Sequence, residues 1–197
     1  MKDSPYYKQA ELMLKTLPHV AAERIFALKG GTAINLFVRD MPRLSVDIDL
    51  TYLPVDEARE TALRNMSAAL DRIADTIKRS IPGTRVQETC AKNPERVTRL
   101  TVAAGSMRIK IEPNEVIRGA VFPAEDRDLT HRAEDLFELS VTAQTLSLAD
   151  LYAGKLCAAL DRQHPRDLFD VRLLLDNEGI TAAASACLPP CACPYFA

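Results

Sequence analysis

Apolar residues recur along this chain with two periods, and the switches between them divide it into segments. Leu12, Met13 and Leu17 fall on one side of a helix that opens at Ser4-Pro5, a capping hydroxyl followed by proline at the first helical position. Pro18 is expected to break that helix, and a second short helix is expected over about 19–24. His19 within it reads as a surface or capping residue. The run Ile25-Phe26-Ala27-Leu28 predicts a strand ending at Gly30, and residues 32–38 suit a short helix. Val46, Ile48 and Leu50 then alternate with Ser45, Asp47 and Asp49, so a strand here turns the three polar residues to one face. Asp56 is expected to cap a long helix reaching about Ser80, with Leu63, Met66, Leu70, Ile73 and Ile77 inward.

Alternation returns in the middle of the chain. Residues 85–91, 97–103 and 107–112 predict three strands, separated by loops that include Ala104-Gly105-Ser106. One face of the last strand carries Arg108, Lys110 and Glu112. Residues 119–132 read as a connection, and 137–141 as an added edge strand. Ser147 caps a further helix, with Asp150 at its third position, and Pro165 starts the last one. The reading is an α+β fold: a sheet flanked by helices. It divides into a core over 1–145, a helical part over 146–180 that completes the site, and an atypical tail over 181–197.

Composition changes this picture little. At 197 residues the chain can bury one good core. No apolar run approaches the ~20 residues of a membrane span, and the first residues lack the apolar stretch of a signal peptide. A cytosolic protein with no membrane partner is expected. Five cysteines, odd in number and irregularly spaced, suit reduced thiols. A net charge of −2 means that any polyanion contact must come from a local patch. Residues 78–118 supply one: nine Lys and Arg against Glu88, Glu95, Glu112 and Glu115. Alternating Arg on one strand face can track a phosphate backbone; a solvated face is the plain alternative.

Two features carry chemistry. Asp47 and Asp49 share a strand face, where like charges repel unless a proton or a cation sits between them. A hard divalent ion with oxygen ligands is the simplest resolution, Mg²⁺ where phosphates are handled. Gly30-Gly31, followed by Thr32 at the head of a helix, lets an anion approach backbone amides; the bland reading is a tight turn. Lys29 either reaches a phosphate or is an ordinary strand-end lysine, and Ser45 reads as a small polar residue at a wet site.

Gly30-Gly31-Thr32-Ala33, followed by Arg43-x-Ser45-x-Asp47-Ile48-Asp49-Leu50, resembles the nucleotidyltransferase toxins of the AbiEii/AbiGii group, within the DNA polymerase β-like nucleotidyltransferase superfamily. Leu148-x-Asp150-Leu151-x-x-x-Lys155-Leu156 resembles the family's helical lysine motif. Arg162-x-x-x-Arg166-Asp167-x-x-Asp170 resembles its Arg/Lys-Asp-x-x-Asp motif. The resemblance covers roughly residues 20–176 and implies a mixed nucleotidyltransferase-like sheet. It also implies that Asp47, Asp49 and Glu112 hold Mg²⁺ or Mn²⁺, with Glu112 as third ligand or base. Gly30, Gly31, Thr32, Lys29, Arg43, Ser45, Arg166 and Asp170 are then expected around the nucleotide. Lys155 is expected on its phosphate, and Asp167 in the catalytic set.

The activity so implied is transfer of a nucleoside monophosphate from an NTP, by the toxin of a type IV toxin–antitoxin or phage-exclusion system. Its partner would be a neighbouring winged-helix antitoxin. A toxin needs an essential target, which points to RNA, the tRNA 3′ end in particular. Nucleotidylation of a protein or a small molecule such as an aminoglycoside is the alternative within the enzyme class. An inactive relative that binds nucleotide or a partner stands outside it. The Cys/Pro-rich end, from Cys187 on, is unlike the family and reads as truncated or frame-shifted.

Overall fold

The computed structural model describes residues 4–92 and 95–188. Helix α1 (Pro5–Ala21) leads to strand β1 (Phe26–Lys29). The chain then makes a helical turn, α2 (Gly30–Ala33), widening into a π-helical turn over Ile34–Val38, and returns as β2 (Ile48–Tyr52). Helix α3 (Arg59–Ser80) precedes a meander of β3 (Thr84–Lys92), β4 (Glu95–Ala104) and β5 (Met107–Arg118). Strand β6 (Glu125–Asp128), helix α4 (His131–Phe137) and strand β7 (Thr142–Thr145) follow. Helices α5 (Leu148–Arg162), α6 (Pro165–Asn177) and α7 (Ala182–Ala186) complete the described chain.

The seven strands form one mixed sheet in the order β3-β4-β5-β2-β1-β7-β6. β1 runs antiparallel to β2, whereas the β2–β5 and β1–β7 pairs are parallel. Ile48, Leu50, Leu100, Val102, Ile109 and Ile111 are buried on one face. There α3 packs on β3 and β4, and α1 on β5 and β7. Alternate residues point the other way, as the pleat requires, so β2 to β5 turn Asp49, Arg99, Lys110 and Glu112 to the opposite face. The long inward stripe of α3 is as its spacing predicts: Met66, Leu70, Ile73 and Ile77 are buried and Leu63 partly so.

Several expectations are corrected. α1 runs through Pro18 to Ala21, so no separate helix forms over 19–24. Proline removes one helical hydrogen bond, but Leu17 and Val20 on either side are both buried in the core, which holds the turn. Ser4 stands at the cap position without a side-chain cap bond. α3 starts at Arg59 rather than Asp56, because Glu57 is held by Tyr52 and Asn65 and its carbonyl accepts from Arg118. The segment expected as an edge strand over 137–141 instead ends α4 and precedes β7, which is internal. The edge beside β7 is β6, inside the stretch read as a connection; its four residues are all charged, a common guard on an open edge. Ser147 caps α5 by accepting from the Asp150 amide, as its spacing predicts.

Candidate active site

β4, β5, β2 and β1 lay four charged side chains side by side. Lys29 is the register partner of Asp49 across the antiparallel pair, and Asp49 is the partner of Glu112 across the parallel one. One step past the last β4–β5 register pair, Leu100 with Ile111, Arg99 meets Glu112 at 2.6 Å. The row therefore reads Arg99, Glu112, Asp49, Lys29. Asp47, just ahead of β2, is near enough for its charge to act on Asp49.

The glycine turn closes on this row. Gly30 has φ +70°, in the region that favours glycine, and a Cβ there would lie 2.7 Å from Asp49 Oδ2. A Cβ on Gly31 would lie 2.7 Å from the Arg43 guanidinium and 3.0 Å from Ser45 Oγ. Thr32 is fully buried and donates to the Asp47 carbonyl at 2.6 Å, with Ser45 Oγ 3.0 Å away. The turn and the acidic strand are thus bolted together.

Behind them stands a ladder of alternating charge. Arg43 donates to both oxygens of Asp170, at 2.9 and 2.5 Å. Lys155 contacts Asp170 at 3.1 Å and Asp167 at 2.9 Å. Arg162 donates to both oxygens of Asp167, at 2.6 and 3.2 Å. Lys155, Asp167 and Asp170 are buried, while Arg162 is exposed. Three cations face two carboxylates, so the ladder is positive towards the row.

The electrostatics follow from burial and neighbours. Burial pushes the Asp49 carboxyl up; Asp47 and Glu112 push the same way, and Lys29 and Lys155 oppose. Burial pushes Lys29 down, against Asp49 and assisted by Arg162 and Lys155. Burial also disfavours the Asp167 charge, but the hydrogen bonds from Arg162 and Lys155 win and hold its carboxyl at about 2.

The donor set suits a hard divalent cation in kind. It is all oxygen, and a cation would relieve the repulsion that raises Asp49. Asp47 and Asp49 are the residues that would hold it, because Mg²⁺ commonly takes one or two carboxylates and fills its shell with water and phosphate. Among the described residues, no three acidic, His or Cys side chains gather as a preformed metal cage. Glu112 is turned to Arg99 instead.

A family description, the AbiEii nucleotidyl transferase toxin of the type IV toxin–antitoxin system, matches residues 11–190. This chain belongs to the AbiEii family. A search of curated proteins found no match. Among solved structures, the nucleotidyltransferase toxin MenT4 of Mycobacterium tuberculosis H37Rv superposes with a TM-score of 0.62 at 15% identity. The likeness covers 88% of this chain and 60% of MenT4, so the chain spans about three fifths of that toxin's length. The antibiotic-resistance factor ANT(2″)-Ia superposes with a TM-score of 0.52 at 16% identity, over 91% of each chain. At such identities the likenesses establish the fold, a nucleotidyltransferase-like mixed sheet. The family match also runs into the tail that looked foreign to it. α7 lies in that tail and packs on α5, whereas residues 189–197, with Cys191 and Cys193, lie outside the described residues.

The AbiEii motifs converge, though not every residue faces the open side of the sheet. Asp49, Glu112, Lys29, Gly30 and Gly31 meet on one sheet face, with Asp47 just ahead of β2. Thr32 and Asp170 are inside the protein, their side chains spent on Asp47, Arg43, Lys155 and Asn35. Lys155, expected to find its partner in a phosphate, has two carboxylate partners already. Arg166 is exposed on the first turn of α6. Two residues escape sequence reasoning. Asn35 is fully buried and donates to both the Gly31 carbonyl, at 2.8 Å, and Asp170, at 3.1 Å. Arg99 holds the third acid. No local pattern marks either, since Asn35 acts on a residue 135 positions away and Arg99 is set by strand register.

Proposed function

We propose that this AbiEii chain transfers a nucleoside monophosphate from an NTP to a hydroxyl of RNA, the tRNA 3′ end being the acceptor class, with Mg²⁺ or Mn²⁺ required. Three carboxylates on neighbouring strands, beside a side-chain-free glycine turn and a wall of cations, are what support this reading. The acceptor oxygen bonds to the α-phosphorus, the bond from that phosphorus to the bridging oxygen breaks, and pyrophosphate leaves. Glu112 takes the acceptor proton. Gly30 and Gly31 let the triphosphate lie against the backbone. Lys29 and Arg162 supply positive charge to the leaving group, and Lys155 has one donor left beyond its two carboxylates. Bound at Asp47 and Asp49, a divalent cation would neutralise charge developing on the reacting oxygens. The chain acts in the cytoplasm as a toxin, held in check by an antitoxin encoded nearby, a winged-helix protein.

The test is incubation of the full chain with labelled NTPs and total RNA, protein or aminoglycoside. Label is expected in RNA, to be lost on adding a chelator and, by more than about a hundredfold, in Asp49→Ala with its circular dichroism unchanged. Label in the protein or drug fraction, or full transfer by the folded variant, overturns the proposal.

A further inference from the structure

The face of β3–β5 that lies opposite α3 carries charge the mechanism leaves unused. Arg85 and Arg108 each pair in register with Ala103, and Lys110 pairs with Thr101, so all three share the face of Arg99 and Glu112. Arg85, Arg108 and Lys110 are exposed, and no salt bridge engages them among the described residues. Of the nearby acids, Glu88 points to the helix side and binds Lys78, and Glu115 is engaged by Arg96. Glu112, at the end of the strip, is its acid, and it opens directly onto Asp49. From Arg108 to Glu112 is four residues of strand, about 13 Å.

Resting on the activity proposed above, we infer that this strip is the docking track of a single-stranded polynucleotide whose reacting end lies at Asp49, and that Arg99 couples docking to the site. A cationic strip tapering into a cluster of carboxylates fits a polyanion whose terminus is the reactant. The strip has no aromatic side chain, so it offers no stacking platform and reads the backbone rather than the bases. Arg99 is 42% exposed, and its Nε, though 2.6 Å from Glu112, makes no well-directed hydrogen bond. An arriving phosphate competes for that guanidinium, and Glu112 is then released towards Asp49 as the acceptor seats.

The test uses the full chain and a labelled single-stranded RNA of mixed sequence. Without NTP, binding is expected to weaken with salt, and in Arg85→Gln/Arg108→Gln/Lys110→Gln the log–log slope is expected to fall by about 2. In transfer assays the triple variant is expected to raise the acceptor KM about tenfold or more, with kcat and the KM for NTP unchanged. Arg99→Gln is expected to raise acceptor KM without lowering kcat, since Glu112 is already free. Arg64→Gln/Arg79→Gln, on the far side in α3, serves as the charge control and is expected to match wild type. Label entering RNA with an unchanged acceptor KM in the triple variant overturns this inference and leaves the proposed activity standing. Absence of label in RNA with the wild type overturns both.

Discussion

Asp167 shows how a single carboxylate is held against its burial. Its carboxyl sits at about 2, below the ordinary aspartate range, because Lys155 and Arg162 donate to it. A depressed value contributes stability that is present above the unfolded pKa and lost as pH falls through the folded one. Stability is therefore expected to drop by about 2 kcal/mol between about pH 4 and pH 2, and Asp167→Asn is expected to flatten that part of the curve; urea unfolding across this range measures it. Thr32 offers a second test. Its hydroxyl serves the Asp47 carbonyl, so Thr32→Ser is expected to keep wild-type stability. Thr32→Val, of similar outline, is expected to cost about 1–3 kcal/mol by stranding that carbonyl, read as a lowered Tm.

The elements around the site differ in how openly the sequence declares them. The β5 stretch from Met107 to Glu112 alternates apolar and charged residues cleanly, and α3 repeats its apolar residues at helical spacing, so both were legible. β6 was not, because Glu125 to Asp128 has no apolar alternation and owes its strand form to β7 alone. Pro18 misled for a related reason: tertiary burial of Leu17 and Val20 outweighs a local breaker. The glycine turn was visible as a motif, but its neighbours were not, since Asp49, Arg43 and Ser45 crowd it only in three dimensions. Gly30→Ala combines a left-handed φ with a clash on Asp49 and is expected to cost about 1–3 kcal/mol. Gly31→Ala displaces the Arg43 guanidinium, and is expected to lower affinity for NTP more than it lowers Tm. Binding calorimetry alongside thermal unfolding separates the two effects.

Across the whole molecule, the charge ladder joins α5 and α6 to the turn and loop ahead of β2. Asp170 is its central tie, accepting from Arg43, Lys155 and Asn35. Asp170→Ala strips Arg43 of its carboxylate and leaves Lys155 with Asp167 alone, and is expected to destabilise by about 3–5 kcal/mol. Because the sheet core lies under α1 and α3, the loss is expected to be local: amide hydrogen exchange should quicken over residues 148–177 while β2, β4 and β5 keep their protection. Uniform loss of protection would show instead that the ladder supports the entire fold. The same tie has a consequence during synthesis. Gly31 and Arg43 leave the ribosome well over a hundred residues before Asp170, and until that aspartate emerges nothing clamps the guanidinium over the glycines. A nascent chain still threaded through the ribosome at α6 therefore carries every strand of the sheet but a glycine turn without its clamp, so the pocket proposed above takes shape only once α6 has emerged.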